Sequence, residues 1–263
     1  MREYIKELLK RKDLLIYLVK SGLKAEHRNS YLGYFWWLLD PLLNVVVYYF
    51  LVTYILNRGS EDYNYAVFLV IGLVAWRWMN TTVTTSAKAI LKYSSIINQV
   101  YLPKSLFPLA MSFTQAYNFL FGLIVVGLFL LFNQVLPDWH IVYLPLILFV
   151  QLLFLSAVSL GVAYMCVFVR DIDNILSHIM RLFFYASPII WDSERILGRF
   201  DNLAWVVQYN PVAIIIESYR AVIMFNGNPQ FTGLFVIGVA SIAVIAFLLH
   251  YYSKNEHKII KAL

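Results

Sequence analysis

Residues 23–42, LKAEHRNSYLGYFWWLLDPL, set the basic side chains of Lys24, His27 and Arg28 beside the rings of Tyr31, Tyr34, Trp36 and Trp37. An arginine fork donates to two phosphate oxygens at once, and the bond strengthens where water is scarce. Aromatic faces stack on sugar rings, and a wall of them lets a polymer slide without being held. The chemistry on offer is recognition of an anionic headgroup followed by passage of a sugar chain. Each type of residue also has an ordinary role. Basic residues anchor the inner membrane surface, and most rings, including Tyr48, Tyr49, Tyr54, Trp76 and Trp78, serve in interfacial belts and packing.

Three charges fall inside apolar runs: Asp40, Arg77 and Arg181. A charge in hydrocarbon costs at least about 2.5–3.5 kcal/mol, so it faces a partner or a wet cavity. Helical rise puts Asp40 roughly 8 Å deep, Arg181 roughly 10 Å and Arg77 roughly 16 Å. These depths predict an Asp40–Arg181 ion pair, with Arg77 the poorer match. The other outcome is that Arg181 snorkels to the surface while Asp40 sits in water.

Other chemistries lack their parts. There is no GxxxxGK[ST] phosphate loop, so the chain is not expected to hydrolyse ATP. The five His are scattered without ligand spacing, and no metal site or catalytic residue is expected. Asp171-Ile172-Asp173 imitates the DxD of nucleotide-sugar transferases but has no domain around it, and reads as helix N-capping. Cys166 is the single cysteine, which excludes an internal disulfide.

The elements that carry these residues are membrane spans. Of 263 residues, 61% are hydrophobic and 14% charged, too apolar for a soluble domain. The expected fold is all-α and polytopic, with six transmembrane helices. One domain, 1–263, divides into an interfacial amphipathic helix (1–24), a gate helix (25–34), spans one to five (35–190), an outer re-entrant region (191–232), span six (233–252) and a cytosolic tail (253–263). Ile5, Leu8 and Leu9 share one face of the first helix. The fifth span, 174–190, is short and ends at Pro188. Segment 211–225 is too short to cross; Asn210 caps it, Pro211 takes its first position, and Glu217 and Arg220 lie three apart, as a structural ion pair would. With both termini, the 88–104 loop and the 170–173 loop in the cytosol, fifteen of the 21 Lys and Arg lie inside. That distribution also argues against a nucleic-acid partner.

Four blocks in order carry a resemblance: 23–42 above, SIINQVYLPKSLFP (95–108), FVRDIDNILSHIMRLFFYASPIIW (168–191) and YNPVAIIIESYRAVI (209–223). Together they resemble the permeases of ABC type-2 exporters that move O-antigen, capsule or wall teichoic acid, with a lean toward the teichoic acid type. The resemblance implies a half-transporter in the bacterial cytoplasmic membrane. It would work as two copies with two ATP-binding subunits, which would hold ATP and Mg, while this chain holds no cofactor. The cargo would be a polymer on a polyprenyl diphosphate. Lys24, Arg28, Tyr31, Tyr34, Trp36 and Trp37 would form the gate. Tyr93, Ser94, Asn98, Gln99, Tyr101 and Pro103 would meet the ATPase, unless the segment is a plain connection. Asn210, Pro211, Glu217 and Arg220 would belong to the outer re-entrant region. The family usually has an uncharged residue where this chain has Asp40, and Arg77 and Arg181 are also unusual. A drug or lipid permease and a membrane glycosyltransferase are the rival readings; the latter lacks a carboxylate or metal site.

Overall fold

Helices form wherever the apolar runs are long, and no strand occurs among the described residues. The computed structural model describes residues 2–26, 31–32, 35–55, 64–97, 99–193 and 208–263. Two basic helices lead, α1 (Arg2–Lys10) and α2 (Lys12–Glu26), followed by α3 (Trp36–Phe50), which ends in a π-helical turn at Leu51–Ile55. Next come α4 (Tyr65–Ala87), the short α5 (Ala89–Lys92) and α6 (Ser94–Ile97), and α7 (Leu106–Phe132). A 3-10 turn at Trp139–Tyr143 enters α8 (Leu144–Phe168), and α9 (Ile172–Ala186), α10 (Pro211–Ile223) and α11 (Phe231–Ala262) complete the order.

The central pillar is α4. In its membrane-crossing window 78% of residues are buried, against 12% for the span containing α3 and 17% for α11, which therefore form the rim. Asn64 starts α4 by accepting from the Val67 N–H, and its amide donates to Asn133 at 2.8 Å, pinning the starts of the second span to the end of the third. A Cβ at Gly122 would lie 2.6 Å from Val74 Cγ1, so the glycine lets α7 close onto α4. Trp78 stacks on Phe119 there at 4.6 Å. Nearer the end of α4, Ser159 of α8 bonds Ser86 of α4 at 3.0 Å and Ser112 of α7 at 2.9 Å, joining three helices through buried hydroxyls. Gln151 of α8 donates to the Ala75 carbonyl and accepts from Tyr219 of α10 at 2.7 Å. These side chains supply what apolar burial cannot supply between helices already in lipid.

A second core lies at the end of the bundle that carries α1, α2 and the last turns of α11. Tyr4, Leu18, Ile90, Leu102, Phe107, Val167, Tyr252 and Ile259 pack together, so the first, middle and last segments of the chain share one cluster. The leading helices are thus docked on protein. Leu8 joins that packing, but Leu9, expected on the same face, is exposed. Against α7, Gly22 of α2 meets Thr114 closely.

Five stretches among the described residues are long and apolar enough to cross a membrane: 38–55, 65–87, 106–132, 139–168 and 231–262. The expected fifth span at 174–190 is a 15-residue helix, about 22 Å long, that stops at Ala186. Ser187 is extended because the ring of Pro188 disfavours the helical region for the residue before it. The last helix does not end at Tyr252. It continues to Ala262, so the expected tail, 253–263, is helical almost to its end, with no Gly or Pro after Gly238 to stop it.

Candidate functional site

A groove of about 520 Å³ opens between α3, α4 and α9. Its walls combine the rings of Tyr48, Trp76, Phe184 and Tyr185 with the polar groups of Asn44, Asn80, Thr81, Thr84 and Ser177. Arg77 and Arg181 both line it. Thr81 and Thr84 return their hydroxyl protons to the carbonyls of Arg77 and Asn80, which keeps α4 apolar enough to stay packed while leaving oxygens toward the groove. Such a lining, rings with scattered polar atoms and two cations, suits a hydrated sugar chain bearing an anion.

The intramembrane charges pair differently from the depth estimate. Arg77 Nη2 donates to Asp40 Oδ2 at 2.7 Å, and Arg181 is not the partner. Counting rise assumes that every span starts on one plane and ignores the arginine stem, which can reach past a helical turn of about 5.4 Å. Arg77 therefore bonds downward to Asp40 while bordering the groove. Asp40, Arg77 and Thr81 also line a smaller cavity of about 60 Å³ against Gln115 and Asn118 of α7.

At the far side of α4 from these charges, Arg220 of α10 is completely buried. Its guanidinium donates to the carbonyls of Pro188 at 2.5 Å, Ile189 at 2.8 Å and Phe68 at 3.3 Å, and to Glu217 at 3.2 Å. It also lies 3.3 Å over the Phe68 ring. Gly72 makes room: a Cβ there would sit 2.6 Å from Arg220 Nη2 and 2.9 Å from the Ile189 carbonyl. Asn210 caps α10 by accepting from Val212 N–H at 2.9 Å and donates to Ser187 at 2.8 Å, with Pro211 in the first turn. Helix α10 is thus stapled to the turn after α9 and to α4.

Residues 93–97 and 99–105 lie on the face of the bundle where α1, α5 and the end of α11 meet. Tyr93 stacks on Phe107 at 5.1 Å, Ser94 opens α6, and Gln99 and Pro103 sit in backbone turns. Tyr101 donates to Glu256 at 2.9 Å, and that carboxylate holds the phenol's pKa above its usual value. The pair nothing in the sequence announced is Lys104–Glu256, 3.1 Å apart, with the lysine fully buried under the Tyr101 ring. Its only signals were a lysine inside the apolar LPKSLFP and a lone acid in a Lys-rich tail. Burial also raises the pKa of Tyr4, whose hydroxyl bonds Ser105 at 2.9 Å. Ile96, Val100 and Tyr101 remain exposed, leaving an apolar rim on this face.

Other expected residues are scattered. Lys24 and Tyr31 are exposed and Trp36 is half-buried. Arg28, Tyr34, Asn98 and the Trp37 side chain lie outside the described residues. Asp171 occupies the N-cap of α9 with helical backbone angles and makes no capping bond, while Asp173 pairs with Lys88 at 2.6 Å instead. No group of three metal-ligating side chains occurs among the described residues. The groove's polar stripe was legible as the NTTVTTS run at 80–86, though it was not singled out.

The chain matches the family model described as ABC-2 type transporter over residues 13–224. It is 29% identical over 252 residues to the O-antigen export system permease protein RfbA of Klebsiella pneumoniae, covering 95% of each chain. The protein of the same name from Myxococcus xanthus is 29% identical over 246 residues, 93% of each chain.

Proposed function

We propose a function on one premise: the chain belongs to the ABC-2 type transporter family, and is a membrane-embedded transporter subunit rather than an enzyme. Membership implies an ATP-binding subunit as partner. On that basis the chain is the permease of an exporter that carries an O-antigen-type polysaccharide, linked to a polyprenyl diphosphate, across the bacterial inner membrane. Two copies would enclose the path, and two ATP-binding subunits, holding ATP and Mg, would drive it. The near full-length likeness to relatives named as O-antigen export permeases carries this reading. It also replaces the lean toward teichoic acid, for which no relative speaks. The aromatic and polar groove between α3, α4 and α9 supports a sugar-chain cargo.

The same reading takes α9 as the short fifth of six spans and α10 as re-entrant, since its 13 residues reach only about 20 Å. Both termini then face the cytosol, as the cation distribution favours. The test is complementation. The chain is expressed with its ATP-binding subunit in a strain lacking an O-antigen exporter of matching polymer type. Surface polysaccharide on immunoblots of intact cells is the expected result; polymer retained inside, at normal permease levels, rejects the reading.

A further inference from the structure

Two cations line the groove, and a single carboxylate, Asp40 in the adjoining smaller cavity, pairs with one of them. Arg77 is held by Asp40 through one bond of 2.7 Å, and both side chains are 37% exposed. Arg181 lines the same groove and has no ionic or hydrogen-bond partner among the described residues. The groove wall therefore carries one positive charge in excess, and Arg181, whose side chain is exposed, is open to an incoming anion. The bond to Asp40 engages one arm of the Arg77 fork, whereas a phosphate offers oxygens to both. Asn44, which donates to the Asp40 carbonyl, and Asn80 and Ser177 add polar atoms around the two cations.

We propose that Arg77 and Arg181 form a phosphate-binding site within the membrane, and that Asp40 is a tethered competitor that occupies Arg77 until the anion arrives. The carboxylate keeps Arg77 neutralised and aimed while the groove is empty. A diphosphate entering beside Arg181 exchanges with Asp40 for Arg77. When the anion moves on, Asp40 closes back, so the site releases its cargo instead of trapping it. The ligand class is a phosphate or diphosphate ester, and its identity as a lipid carrier rests on the export reading above.

The test uses the complete permease–ATPase complex in phosphatidylcholine nanodiscs, which add no anionic lipid. Equilibrium binding is measured for a radiolabelled polyprenyl diphosphate, for polyprenyl alcohol and for inorganic diphosphate. Arg181→Gln is expected to weaken diphosphate binding about tenfold or more. Asp40→Asn is expected to tighten it severalfold, and Asp40→Asn with Arg77→Gln to remove that gain. The alcohol is expected not to compete. Binding of inorganic diphosphate with the same variant pattern would assign recognition to the anion itself; binding confined to the polyprenyl form would assign it to the lipid carrier. Either outcome supports the site. An Asp40→Asn complex with unchanged unfolding temperature that binds no tighter, or an Arg181→Gln complex that binds like wild type, overturns it. If Asp40→Asn fails to fold, the Arg181→Gln measurement decides alone. Polysaccharide export by the wild-type complex is scored separately, so normal export with unaltered variant binding rejects this site and leaves the export reading in place. Absent export with the expected binding pattern does the reverse.

Discussion

At the scale of single residues, the tightest constraint is the nook that Gly72 leaves for Arg220. Alanine at 72 would press on a backbone carbonyl as well as on the guanidinium, and a carbonyl cannot swing aside. We expect Gly72→Ala to destabilise the detergent-solubilised protein by about 1–3 kcal/mol, seen as a lower unfolding midpoint by static light scattering. An unchanged midpoint would mean that the turn at Ser187–Ile190 is loose. Arg220→Lys keeps the charge but loses the fork that reaches three carbonyls, and should lower folded yield further. Tyr101 gives a pH signature in the connection between α6 and α7. Its folded pKa is raised by the Glu256 carboxylate, so its contribution is fully present below the unfolded value near 10 and fades as pH climbs through the folded value. Stability measured from pH 9 upward should fall more steeply in wild type than in Tyr101→Phe, and parallel curves would remove the phenol–carboxylate bond from the account. Residue chemistry of this kind was only half legible in advance. The Asn210 cap and the Glu217–Arg220 spacing are local patterns, and local patterns can be read from a string. The carbonyls around Arg220 belong to residues more than thirty positions away, and no spacing rule reaches them.

At the scale of elements, long apolar runs declared their helices, because a backbone in hydrocarbon has to bond to itself. The second and third long helices, Tyr65–Ala87 and Leu106–Phe132, run unbroken through their apolar stretches. Ends set by tertiary contact were less visible. The helix in the expected fifth span stops a turn short at the Ser187–Pro188 step, and the last helix runs on past residue 252 because Tyr252 and Ile259 are held in the second core. The Asp40 partner was misjudged for a similar reason: depth along one helix says little about neighbours when helices start at different levels. The segment between α4 and α7 yields a prediction of its own. Lys104 and Glu256 are a buried pair, so replacing one leaves a stranded charge and should cost about 3–5 kcal/mol. We expect Lys104→Met and Glu256→Gln each to lower the thermal midpoint more than the double variant does, and to reduce recovery of the ATP-binding subunit with the affinity-tagged permease. Additive midpoint losses would show that the two side chains do not depend on each other.

At the scale of the whole molecule, two cores are stacked along the pillar of α4, α7 and α8, one between the long apolar helices and one at the end that carries α1 and α2. The second holds the first helix, the middle loop and the last helix together, so it should come apart as a unit. Deleting residues 254–263 removes Glu256 and Ile259 from it. Hydrogen exchange is then expected to quicken in 93–105 and in α1, far away in sequence, while α4 keeps its protection; exchange confined to the cut end would contradict a shared core. One further property follows from the unbroken 32 residues of α11. A helix of that length is a rod of about 48 Å, anchored near one end by Tyr252 against the Leu160 carbonyl and near the other by Gly233 against Ile214 of α10. Such a rod is a lever: a tilt of about 5° about one end carries the other through about 4 Å, roughly the width of a water molecule and more. A push delivered to the second core would thus arrive at α10 as displacement, without any chain of altered side chains in between.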